Sequence, residues 1–74
     1  MSIGERIKER RLEEGLTCKE LAKLTGYASR TTISKIEHES INPAFKRIEK
    51  LALALNTTEA YLLGLTDDPE RRSK

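Results

Sequence analysis

Helix start and stop signals recur so closely along this chain that it is confined to short helices. Ser2 with Glu5, and Thr17 with Glu20, are capping-box pairs, in which a hydroxyl and a carboxylate three residues on each satisfy a free backbone N–H group. Gly15 follows the first segment and Gly26 the second, where a left-handed residue ends a helix. These signals predict a first helix from Ile3 to Glu14 and a second from the Thr17 cap to about Leu24. Ser29 is placed to cap a third, from Arg30 to about His38. The ring of Pro43 disfavours helical geometry at Asn42, so extended backbone precedes a fourth helix. There Phe45, Ile48, Leu51, Ala52 and Leu55 recur at spacings of three and four, the strongest amphipathic pattern in the chain. Asn56 is placed to end it, and Thr58 to cap a short fifth helix over about Glu59 to Leu63, closed by Gly64.

The expected fold is therefore all-α and small. Seventy-four residues leave room for one domain, and with 36% hydrophobic residues its core must be economical and aliphatic. Ile3 and Ile7 share a face of the first helix, continued by Arg10, Arg11 and Glu14, while Leu12 lies opposite. Leu21 and Leu24 are expected inward on the second helix, and Ile33, Ile36 and Glu37 share one side of the third. From Thr66 onward there is no apolar residue, so residues 66–74 are expected to be a flexible polar tail or linker after a domain of residues 1–65. The longest apolar run, Leu51 to Leu55, is far short of the roughly 20 residues that span a bilayer, and no cationic segment leads into an apolar one at the start. A cytoplasmic location without membrane contact is the expectation. A lone cysteine, Cys18, suits a reducing compartment.

Catalysis finds no support. The single His, His38, and Cys18 stand at opposite ends of the central segment, and no paired carboxylates, metal-ligand cluster or phosphate-cradling glycine loop is visible. An enzyme, a cofactor and a bound metal are therefore not expected. Charge is more informative once it is divided along the chain. Acids and bases balance in residues 1–14, 38–65 and 66–74, so the net +2 arises wholly between Gly15 and Glu37, where Lys19, Lys23, Arg30 and Lys35 face Glu20 and Glu37. That is a local basic patch, compatible with an anionic partner and equally with a solvated surface.

The patch coincides with two short helices joined by a few residues that include Gly26, the helix-turn-helix arrangement. At about 100° per residue, Thr31, Ser34, Lys35 and His38 point away from the Ile33, Ile36 and Glu37 side. The ordered set Gly15-Leu16-Thr17, Leu21-Ala22-Lys23-Leu24-Thr25-Gly26, Thr32-Ile33-Ser34-Lys35-Ile36-Glu37, Asn42-Pro43, Leu51-Ala52 with Ala54-Leu55, and Tyr61-Leu62-Leu63-Gly64 resembles the phage repressor and Cro type of helix-turn-helix domain, the XRE family. The resemblance covers about residues 3–64.

What the resemblance implies is a compact five-helix, lambda-repressor-like DNA-binding domain. It would sit as a homodimer on a two-fold double-stranded operator and regulate transcription as a phage-type repressor. Its recognition helix corresponds to Arg30–His38. Lys35 can donate to guanine, Thr31 and Ser34 can donate or accept, and Arg30 can reach a base edge or a phosphate. Phosphate contacts are expected at Thr17, Cys18 and Lys19, and at Ser40 and Asn42, where helix N-termini attract anions; Thr17 is also simply a cap. The family's partly buried ion pair corresponds to Arg11 and Glu37. Leu12, Tyr61 and Leu65 are the candidate dimer contacts, with Tyr61 and Leu65 preferred.

The sequence departs from the family pattern at three places. Cys18 stands where the family usually has Gln. Six residues, Tyr27 to Thr32, separate Gly26 from Ile33, one more than the common spacing, which implies a longer turn. Glu39 replaces the usual Gly after the third helix, so the loop from His38 to Ile41 should differ. The chain reads either as the DNA-binding part of a longer repressor or as complete in the manner of small Cro-like proteins. An antitoxin or other interaction module on the same fold is the alternative; its toxin-binding tail would carry apolar anchors, which Thr66 onward lacks.

Overall fold

The computed structural model describes residues 2–70. Among them are five α-helices, α1 (Ile3–Glu13), α2 (Cys18–Thr25), α3 (Arg30–Glu37), α4 (Ile48–Ala54) and α5 (Glu59–Leu62), with a 3-10 turn over Phe45–Arg47 leading into α4. This is the all-α, five-helix class implied by the sequence. Both capping boxes form: the Ser2 and Thr17 hydroxyls accept from the amides of Glu5 (3.2 Å) and Glu20 (3.0 Å), and the two carboxylates accept from the cap amides at 2.9 Å. Thr58 caps α5 in the same sense, accepting from the Tyr61 amide. Ser29 precedes α3 but makes no side-chain capping bond.

Helices of four to eleven residues are marginal in isolation, so a shared core must hold them. Ile7, Leu21, Ile33, Leu51, Leu55 and Leu62 are fully buried, drawn from every helix and the C-terminal end of α4. Two residues expected inward lie outside. Leu24 is 58% exposed; Leu21, Ala22 and Thr25 form the buried face of α2, and the Thr25 hydroxyl remains satisfied by donating to the Leu21 carbonyl at 2.7 Å. Phe45 is 91% exposed, because the chain enters α4 through a 3-10 turn preceded by extended Ala44, and burial begins one turn later at Ile48.

Two arginines of α1, Arg6 and Arg10, join the helices where apolar residues run out. Arg10 donates to the carbonyls of Leu55 and Asn56, capping the end of α4, and pairs with Glu13 and Glu14. Arg6, 7% exposed, lies over the Tyr61 ring at 4.4 Å and donates to the Tyr61 carbonyl. The same side chain holds the segment after α5, donating to the Thr66 carbonyl (2.7 Å) and to Asp67 (2.9 Å). The Thr57 hydroxyl donates to the Pro69 carbonyl. The first residues of the expected tail are thus tied down by polar groups despite having no apolar anchor; residues 71–74 of that tail lie outside the described residues.

Tyr61, expected at the surface as a subunit contact, is 5% exposed and belongs to the core. Its hydroxyl donates to Glu9 at 2.6 Å, and this bond together with burial raises the phenol's pKa above its usual value. Leu65 and Leu12 are exposed, at 77% and 60%.

Candidate nucleic-acid interface

The outer side of α3 is decided by what its inner side buries. Ile33 and Ile36 enter the core, and Glu37 follows them inward because Arg11 meets it there: Arg11 Nε donates to Glu37 Oε2 at 2.7 Å and Nη2 to Oε1 at 3.1 Å. The side chains are 12% and 3% exposed, and Arg11 also donates to the Leu16 carbonyl at 2.9 Å. The Glu37 hydrogen bond raises the Arg11 pKa further above an already basic value. With that register fixed, Arg30, Thr31, Lys35 and His38 are exposed and Ser34 is half-buried. His38 Nδ1 lies 2.8 Å from the Ser34 carbonyl, toward which it donates.

Facing this surface is the start of α2. Thr17, Cys18 and Lys19 join Arg30, Thr31 and Ser34 around an open cleft of about 420 Å³, so residues distant in sequence form one surface. Lys35 lies on the same helix outside that cleft, and Ser40 and Asn42 are exposed in the loop beyond α3. The Ser40 amide is already used, donating to the Lys35 carbonyl at 2.8 Å, so only its side chain remains for another partner. The electrostatics are more basic than a residue count suggests. Glu37 is neutralised by Arg11 from outside the segment, whereas Glu20, the remaining acid between residues 15 and 37, stays ionised in its cap, where hydrogen bonds to Thr17 lower its carboxyl pKa, and so offsets one of the four cations. Lys19, Lys23, Arg30 and Lys35 all remain exposed.

Residues 7–62 match the family model described as helix-turn-helix. The chain belongs to the helix-turn-helix family. Among curated relatives it is similar to the HTH-type transcriptional regulator SinR of Bacillus licheniformis, with 36% identity over 69 residues. That match takes in 92% of this chain and 61% of SinR, so the chain spans about three-fifths of the length of that relative. Among solved structures it resembles the P22 c2 repressor in complex with a synthetic operator: TM-score 0.80, 32% identity, 85% of this chain and 94% of that one. It also resembles SinR, described as a master regulator for biofilm formation, in complex with DNA: TM-score 0.73, 36% identity, 81% of this chain and 95% of that one.

Within this helix-turn-helix the departures from the family pattern acquire physical reasons. Glu39 adopts φ 62°, the left-handed geometry that a Gly there would take, and its carboxylate accepts from the Ser2 hydroxyl at 2.6 Å. A non-glycine residue thus takes a left-handed turn after α3, with its side chain fastened to the start of α1. Cys18 is half-buried and packs against the core as a small apolar side chain. The longer turn between α2 and α3 is braced by two residues that sequence reasoning did not single out. Tyr27 accepts from the Ala44 amide at 3.2 Å, and Arg47 stacks on the Tyr27 ring at 4.8 Å while donating to the Thr25 carbonyl at 2.7 Å. The signal that could have found them is an aromatic within the turn and a cation one residue before the apolar run of the fourth helix begins at Ile48.

Proposed function

We propose that this helix-turn-helix is the DNA-binding unit of a transcriptional repressor and that α3 lies in the major groove. The observation that carries this reading is the division of α3. One side is locked inward by Ile33, Ile36 and the Arg11–Glu37 pair, and the other presents Arg30 and Thr31 beside the start of α2, with Lys35 exposed further along the same helix. The B-DNA major groove, about 12 Å wide, admits such a helix. On this reading Arg30, Thr31, Ser34 and Lys35 read base edges, with Lys35 donating to guanine and the Thr31 methyl meeting thymine. Thr17 and Lys19, the Cys18 backbone amide, the Ser40 hydroxyl and Asn42 hold phosphates on either side, which fixes the helix in register without reading sequence.

Eight helical residues extend about 12 Å, the length of roughly four base-pair steps. So short a site recurs too often in a genome to specify one address, and two half-sites linked by dimerisation gain affinity through effective concentration. We therefore place a homodimer on a two-fold operator, paired through exposed Leu65 and its neighbour Leu63 rather than through buried Tyr61. A phage-type repressor acting in the cytoplasm is the form this function takes, with the domain extended past residue 65 by the segment that Arg6 and Thr57 fasten down to Pro69. Selection of bound duplexes from a random pool tests it. A consensus with two-fold symmetry supports the proposal, and recovery of unselected sequence at physiological salt refutes it.

A further inference from the structure

The two candidate DNA-facing parts, α3 and the loop before α4, are not joined by apolar packing alone. Gly26 ends α2 in the left-handed conformation (φ 79°), and the space a Cβ would occupy there is taken by Nη1 of Arg47, 2.6 Å away. That same Nη1 donates to the Thr25 carbonyl, one of the groups a helix end leaves open. The guanidinium lies over the Tyr27 ring, and the Tyr27 hydroxyl reaches 17 positions along the chain to accept from the Ala44 amide. The four groups form a closed chain of contacts: end of α2, turn, entry to α4, and back through Arg47. Arg47 is half-buried, so this cation at the end of the 3-10 turn before α4 is directed at the protein rather than held in solvent.

We infer that Tyr27 and Arg47 are positioning residues for sequence readout, setting the direction in which the turn delivers α3 relative to the Ser40–Asn42 loop. The inference rests on the DNA-binding reading above. Its physical basis is that the turn from Tyr27 to Ser29 has few other constraints: Ala28 and Ser29 are exposed, and Ser29 makes no side-chain cap. Ile33, Ile36 and the Arg11–Glu37 pair hold the later part of α3 whether or not the brace is present, so its loss shifts only the first turn, with Arg30 and Thr31, and base contacts there are lost long before the fold is. Phosphate attraction is little affected, because it depends on charge and not on register.

The test uses Tyr27→Phe, which keeps the ring under Arg47 and removes the acceptor for Ala44, and Arg47→Met, which removes the stack and the Thr25 bond. Binding is measured by fluorescence anisotropy on the pool-selected duplex and on a scrambled duplex of equal length, alongside thermal unfolding by circular dichroism. We expect Tyr27→Phe to lower affinity for the selected duplex about five-fold, the worth of one net hydrogen bond, while the scrambled duplex is bound as by wild type. Arg47→Met should lose more of the ratio. A ratio unchanged in Tyr27→Phe, with or without a lower melting temperature, makes the brace merely structural and overturns the inference. If Arg47→Met fails to fold, the Tyr27→Phe ratio alone decides. A wild-type protein that binds both duplexes equally removes the DNA reading and this inference with it; a wild type that discriminates, with variants that discriminate equally well, removes the inference alone.

Discussion

Replacing Arg11 by Met, Glu37 by Leu, and both together asks what the buried pair contributes. Each charged group is almost wholly withdrawn from water, at 12% and 3% exposure, so removing one partner strands the other. The cost of a stranded buried charge is about 3 kcal/mol at the low end of measured cases. For a domain of this size, that corresponds to a fall of about 15 °C in melting temperature. The double variant strands no charge. It loses the Arg11 donation to the Leu16 carbonyl, about 1 kcal/mol, and gains apolar burial of similar size. It should therefore melt within a few degrees of wild type and well above both single variants. Urea unfolding at neutral pH, with linear extrapolation to water, gives the four free energies. If the double variant loses the sum of the two single losses, the pair is not acting as a unit, and the account of how α3 is held in register fails.

Gly4→Ala tests the close approach of α1 to the end of α3: an added Cβ would meet the carbonyl oxygens of Ile36 and Glu37. Although Ala is the better helix former, the variant should lose about 1–3 kcal/mol by overpacking, and a gain in melting temperature would contradict that contact. Acid sensitivity is the second test. Hydrogen bonds to Thr17 lower the Glu20 pKa from 4.5 in the folded state. The contribution is thus fully present above the unfolded value and lost as pH falls through the lowered one. Glu20→Gln should flatten the decline of melting temperature between about pH 5 and pH 3; curves that stay parallel to wild type would count against the cap. Leu51→Ala, at a fully buried site, should lose about 2–5 kcal/mol by denaturant unfolding; a loss below 1 kcal/mol, roughly what a surface change gives, would mean Leu51 is not in the shared core.

The helix boundaries were legible because they are set locally. Ser2, Thr17 and Thr58 cap within three residues of their partners, and Asn56 takes the left-handed conformation its position suggests. The inner side of α3 was legible by period alone, since Ile33, Ile36 and Glu37 recur at spacings of three and four. What depends on distant segments was not. Leu24 and Phe45 obey the helical period, yet nothing in the sequence says where the neighbouring helix ends, and both face solvent. Tyr61 is drawn inward by Arg6 and Glu9 from the far end of the chain, partners that spacing cannot reveal. Arg6 and Arg47 escaped notice for the same reason: an arginine's sequence neighbourhood does not show whether its long side chain ends in water or on a carbonyl.

The central claim is that the outer side of α3 lies along base edges, and Lys35, exposed in the second turn of α3, tests it. Repeating the random-pool selection with Lys35→Ala measures it most directly. The account predicts that preference relaxes at one position in each half-site while the rest of the consensus stands. An unchanged consensus with uniformly weaker binding and a shallower salt dependence would make Lys35 a phosphate contact and contradict the placement of α3.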